Sequence, residues 1–177
     1  MKSQDSLHVS RPEIHESVFM ARGTHVFGNV RLARGVSIWF NAVLRGDEGP
    51  VEIGADSNIQ DNVLIHSDLG AAVIIGERVT VGHGAVIRSC RIGNNVMIGM
   101  NATIMSRAEI GENSIVGANS FVPYNRSYPP GSMIIGAPAR LVRPLTEAEL
   151  TYNQATIDVY KKLVEQYRSG GIAGVSG

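Results

Sequence analysis

Residues Val79–Val122 read VTVGHGAVIRSCRIGNNVMIGMNATIMSRAEIGENSIVGANSFV. Within this stretch Val81, Ile87, Ile92, Ile98, Ile104, Ile110, Val116 and Val122 stand six residues apart, except for one step of five into Ile92. Two positions before each lies a small or short residue: Val79, Ala85, Cys90, Val96, Ala102, Ala108, Ser114 and Ser120. Glycine often follows directly, as at Gly82, Gly93, Gly99, Gly111 and Gly117. An amphipathic helix repeats near 3.6 residues and a half-buried strand alternates, so neither produces this period. A period of six fits one short strand and one corner, with the aliphatic residue inside, the small residue inside near the corner, and glycine relieving the turn.

The same register extends towards the N-terminus. Ile14, Met20, Val26, Leu32, Ile38 and Leu44 keep the step of six; a step of nine leads to Ile53, then Ile59 and Ile65 follow, and a step of ten leads to Ile75. Arg45–Pro50 therefore carries a three-residue insertion, and the stretch after His66 one of four. Eighteen such positions at three per coil predict an all-β fold, a left-handed parallel β-helix of about six coils. Past Val122 the repeat loosens through Pro123–Pro130, returns weakly at Met133–Gly136 and ends at Pro144. Thr146 with Glu149 makes a capping box. Leu150, Ile157, Tyr160, Val164 and Tyr167 then recur at helical spacing, so a C-terminal amphipathic α-helix is expected to lie against the prism. The expected organisation is a β-helix domain over 1–145, the helix within 146–169, and a flexible tail over 170–177.

Lys+Arg and Asp+Glu both number 16, which gives no electrostatic case for nucleic acid or an acidic membrane. The single Cys90 can form no internal disulfide and fits a reducing compartment. The N-terminus lacks the apolar core of a signal peptide, and no run of ~18 apolar residues is present. A cytoplasmic location is expected.

Three repeats return to one face, so side chains can be placed from the register. Leu44, Ile65, Ile87 and Ile104 share a face, and the residues after them, Arg45, His66, Arg88 and Met105, form a ladder. Ile59, Val81 and Ile98 share another, with Asp61, His83 and Met100 two positions on, near a corner. His66 and His83 thus fall on different faces of one chain. Cys90, Met100 and Met105 are expected to pack in or line the core, and His8, His15 and His25 to lie outside the site, on a surface or interface.

The segments LRGDEGPVEIGADSNIQDNVLIHSD and VTVGHGAVIRSCRIGNNVMIGM closely resemble the core of the gamma-class carbonic anhydrases, and the match runs from about Ile14 to Pro144. The resemblance implies a homotrimer in which three histidines hold zinc or iron at each subunit interface, two from one subunit and one from its neighbour. The metal lowers the pKa of its water to about 7, and the hydroxide attacks CO2. The first ligand position matches His66 and the second His83. The third, five residues later, is Arg88, which cannot be deprotonated in a protein and is a poor ligand. Arg45 and Asp47 resemble a buried pair that stabilises trimer and site, Gln60 a residue orienting water or substrate, and Glu48 a proton-transfer carboxylate. Asp61 is placed to orient a ligand histidine. The short insertion after His66 lacks the long acidic loop of the best-studied members.

The resemblance therefore implies CO2 hydration or bicarbonate dehydration, weak or absent because of Arg88. The small-molecule partner is CO2/bicarbonate or a carboxylate anion held by Arg88. If no ligand comes, Arg88 is expected to pair with Asp61 or Glu48 of a neighbour. Two other classes compete: a CoA-dependent hexapeptide acyltransferase, suggested by IIGAPARLVR, and a non-catalytic binding or assembly trimer.

Overall fold

The computed structural model describes residues 10–172. His8 and residues 173–177 of the expected tail lie outside them. The chain winds into a parallel β-helix of about seven turns followed by one C-terminal helix. The extra turn over the expected six comes from the segment where the repeat loosens. There Ser127–Tyr128 and Ser132–Gly136 still stack, as Tyr128 on Ile110 and Ile134 on Val116. Ala139–Pro144 then turns back antiparallel on Ser132–Gly136 and closes that end.

The predicted face assignments match the strand register. Leu44 aligns with Ile65, Ile65 with Ile87 and Ile87 with Ile104. Ile59 aligns with Val81 and Val81 with Ile98. The first insertion forms no separate loop. Val43–Ile53 is one strand that rounds a corner, pairing with Leu64–His66 at one end and with Val73–Ile75 at the other, and so joins two faces in one sheet.

The interior is a stack of isoleucine, leucine and valine, fully buried from Val30 to Ile134. The small residues two positions earlier are buried as well, including Ser57, Ala85, Cys90, Ala102 and Ser114. Ile14 and Met20 depart from this pattern, being 42% and 41% exposed, because among the described residues no coil packs beneath the first turn.

The glycines do a different job from the expected one. Gly54, Gly76, Gly82, Gly93, Gly99, Gly111 and Gly117 do not hold the left-handed corners. Those corners fall three residues before each interior aliphatic, and mostly asparagine takes them: Asn41, Asn62, Asn95, Asn101, Asn113, Asn119 and Asn125 all have φ between 54° and 59°. Asparagine tolerates this conformation better than most side chains. The glycines that follow the aliphatics allow neighbouring coils to approach. A Cβ on Gly82 would lie 2.8 Å from the backbone nitrogen of Met100 on the next coil.

The helix Glu147–Arg168 begins at the predicted capping box. Thr146 accepts from the Glu149 backbone N–H, and the Glu149 carboxylate accepts from that of Thr146. It buries Ile157 and Asn153. It also sets Tyr160 and Tyr167 against Trp39, with ring centroids 5.2 and 5.5 Å apart. Lys161 reaches Asp56 at 3.4 Å, and the Asn153 amide donates to the Asn95 carbonyl at 3.4 Å. None of the helices among the described residues is long and apolar enough to cross a membrane.

Candidate functional site

The ladder places Arg45, His66 and Arg88 side by side on three successive coils. Strand alternation puts residues two apart on the same side, so Asp47 accompanies Arg45 and Asp68 accompanies His66. Two Arg–Asp pairs result, one on either flank of His66.

Arg45 donates to Asp47 Oδ2 through Nη2 at 2.6 Å and Nε at 3.2 Å. That hydrogen bond holds Asp47 below the usual carboxylate range. The pair is half exposed in the single chain. On the other flank, Arg88 Nε and Nη2 lie 2.8 and 2.7 Å from Asp68 Oδ1. Asp68 Oδ2 accepts the Ser106 hydroxyl at 2.8 Å, and its backbone N–H donates to Ser89 Oγ at 2.7 Å. The Arg88 guanidinium, first among these partners, brings the Asp68 carboxyl down to about 2. Glu48 is exposed, and its charge favours the charged form of both Arg45 and Arg88.

Arg88 therefore has a carboxylate partner, Asp68, within its own chain, and its positive charge is matched locally.

His66 lies between these pairs. Its Nε2 is buried and makes no hydrogen bond among the described residues; Asp47 Oδ1 is 3.5 Å away. A buried ring nitrogen without a partner is uncommon in a folded chain.

His83 occupies a corner on a different face. Its Nδ1 lies 2.6 Å from Asp61 Oδ2, and the other Asp61 oxygen accepts the Phe40 backbone N–H at 3.1 Å. Asp61 thus fixes the ring, whose Nε2 lies 3.5 Å from the Tyr160 hydroxyl. Gln60 is buried beneath it. Its Oε1 accepts the His83 backbone N–H at 3.2 Å and its Nε2 donates to Asn58 at 3.1 Å, leaving one amide hydrogen free.

Tyr160 is the residue that sequence reasoning missed. It was legible only as part of the apolar stripe of the helix. Its hydroxyl lies 3.5 Å from His83 Nε2, and burial, with the Asp61 charge, pushes that phenol up to about 12. Gln60, His83, Met97, Met100, Tyr152 and Tyr160 line a cleft of about 240 Å³. Met100, expected in the core, is 53% exposed at this cleft. Met105 is partly buried in the ladder, and Cys90 is buried, which pushes its thiol up to about 12. His15 is exposed, and His25, also exposed, stacks on Phe27.

No cluster of three His, Cys, Asp or Glu side chains suited to a metal occurs among the described residues of the single chain. Two imidazoles, one with its Nε2 unpartnered and one with its Nε2 only 3.5 Å from a phenol, fit part of a metal site, whereas the Arg88 guanidinium has no lone pair to give a cation.

The bacterial transferase hexapeptide (six repeats) family matches residues 89–123. A "Probable carbonic anhydrase" of Methanocaldococcus jannaschii is 46% identical over 156 residues, covering 88% of this chain and 98% of that protein. "Gamma carbonic anhydrase 1, mitochondrial" of Arabidopsis thaliana is 36% identical over 162 residues, covering 88% of this chain and 59% of that longer protein. The chain belongs to the gamma-class carbonic anhydrase-like family. Within solved structures, a putative acetyltransferase from Bacillus cereus superposes on this carbonic anhydrase-like chain with a TM-score of 0.88 at 35% identity, covering 90% of this chain and 92% of its own.

Proposed function

We propose that this chain forms a homotrimer whose metal site joins His66 of one subunit to His83 of the next, and that with Arg88 in the third position it holds zinc or iron weakly and hydrates CO2 slowly. The observation that carries this reading is the buried His66 Nε2, which finds no hydrogen-bond partner within its own chain. His83, held by Asp61 on another face, needs a second copy to meet it. A metal bound there supplies Lewis acidity that brings the pKa of water towards neutrality.

The chain's own residues have separable tasks. Asp61 fixes the tautomer and direction of His83. Gln60 holds the His83 backbone and keeps one amide hydrogen for water or bicarbonate. Arg45 and Asp47 brace the wall beside His66, and Glu48 is the exposed carboxylate that relays protons to solvent. The Arg88–Asp68 pair takes the place of a ligand without adding net charge, so metal affinity is weakened and not abolished.

Subunit mixing tests the interfacial assignment. In an Arg88→His background, trimers carrying only His66→Ala, or only His83→Ala, are expected to bind little zinc. Co-folding the two regains sites, because one interface of a mixed trimer keeps both histidines. If mixing regains nothing, the two histidines do not share a site.

The likeness to the putative acetyltransferase of Bacillus cereus supports a second reading, a CoA-dependent acyltransferase. It requires that acetyl-CoA raise the melting temperature, and no rise argues against it.

A further inference from the structure

Beside the ladder lies a second cleft, of about 320 Å³. It is lined by the turn from Asp68 to Ala71, by Arg88, Ser106 and Arg107, and by Tyr124 and Asn125. Arg88 and Arg107 therefore both line one cavity, and among the described residues only Arg88 has a carboxylate partner.

Asp68 is paired there and offers no free oxygen to a ligand. Both its oxygens are engaged, one by Arg88 and one by Ser106. Arg88 uses Nε and Nη2 on Asp68 and keeps Nη1 free among the described residues. Arg107 has no carboxylate within ion-pair distance among the described residues.

Arg107 also sits in an unfavourable place. It holds a corner with φ 62°, a position that asparagine takes at Asn95, Asn101, Asn113 and Asn119. Another arginine at such a corner, Arg78, reaches Asp158 of the helix at 4.0 Å. Arg107 makes no such contact, so its backbone conformation costs free energy without an ion pair in return. Strain of this kind gathers where a side chain serves a ligand.

The opposite character of the cleft is apolar. Leu69 is 80% exposed and Tyr124 is 50% exposed, and both border it. Bicarbonate alone would leave those surfaces uncovered.

We propose that this cleft binds a small monocarboxylate with a short aliphatic body. The carboxylate lies between Arg107 and the free edge of Arg88, where planar guanidinium groups pair well with it. The body covers Leu69 and Tyr124. The site shares Arg88 with the interfacial centre but needs no metal.

The test is calorimetric titration of the full chain with sodium butyrate, after EDTA treatment and at ionic strength held constant with sodium chloride. Saturable binding of butyrate, with acetate weaker, is expected. Arg107→Asn should reduce affinity at least tenfold while the melting temperature holds or rises, because asparagine suits the corner. Arg78→Asn, at the equivalent corner of another coil, should leave binding unchanged. Affinity indifferent to Arg107→Asn, or chloride competing as well as butyrate, overturns the proposal. So does a parent that binds no butyrate while Arg107→Asn breaks the oligomer, which would assign these arginines to a subunit contact. Because the protein is metal-free throughout, none of these outcomes bears on zinc binding.

Discussion

At the scale of single residues, the chemistry turns on what surrounds His66. An arginine in a ligand position reads, from sequence, as a charge opposed to any cation. The structure changes that reading because Asp68, beside His66 on the neighbouring coil, neutralises it. Both side chains are partly exposed, so solvent screens the pair and their coupling should be small. A double-mutant cycle of Arg88→Ala and Asp68→Ala, followed by urea unfolding, would measure it; a large coupling would mean the pair is desolvated by a neighbouring subunit. The glycines give a second prediction. Gly82→Ala should destabilise by roughly 1–3 kcal/mol, as overpacking does, since its Cβ would meet the next coil's backbone at 2.8 Å. Gly70→Ala meets nothing within 4 Å and pays only for its φ of 73°. Unfolding midpoints rank the two; equal losses would contradict close coil approach as the reason for glycine.

At the scale of elements, the strands were readable because one interior residue recurs at each turn of the backbone. The coil count fell short because Pro123–Pro130 obscures the period while Tyr128 and Ile134 still stack. The helix was readable from its cap and stripe, but its docking place was not, since periodicity names the buried face and not what that face covers. Its contact with His83 through Tyr160 was therefore invisible. Tyr160→Phe should keep the packing on Trp39 and remove the hydroxyl beside His83; a changed zinc affinity at unchanged melting temperature would assign the hydroxyl to the site. The cap gives a pH dependence. Arg143, then the Thr146 backbone, brings Glu149 down to about 2 from 4.5. A lowered folded-state pKa means stability that is present above about pH 4.5 and lost as pH falls towards 2. Thr146→Ala should cost roughly 0.5–2 kcal/mol. Glu149→Gln should flatten the acid limb of the stability profile, and an unchanged slope between the two proteins would rule the cap out as its source.

At the scale of the whole molecule, the prism is a ruler that fixes which residues can meet. It brings Arg45, His66 and Arg88 together and holds His83 on another face. Those faces could be assigned from sequence because the register is so regular. Asp68 as the partner of Arg88, and the cleft with Arg107, depend on side-chain reach across coils, which a period cannot supply. The central claim is that Arg88 alone separates this chain from a full interfacial metal site. Zinc per subunit in protein purified without chelator, measured for the parent and for Arg88→His together with trimer mass, tests it most directly. The account predicts substoichiometric zinc in the parent and close to one per subunit in Arg88→His, with the trimer intact in both. An Arg88→His trimer that binds no more zinc than its parent would contradict it.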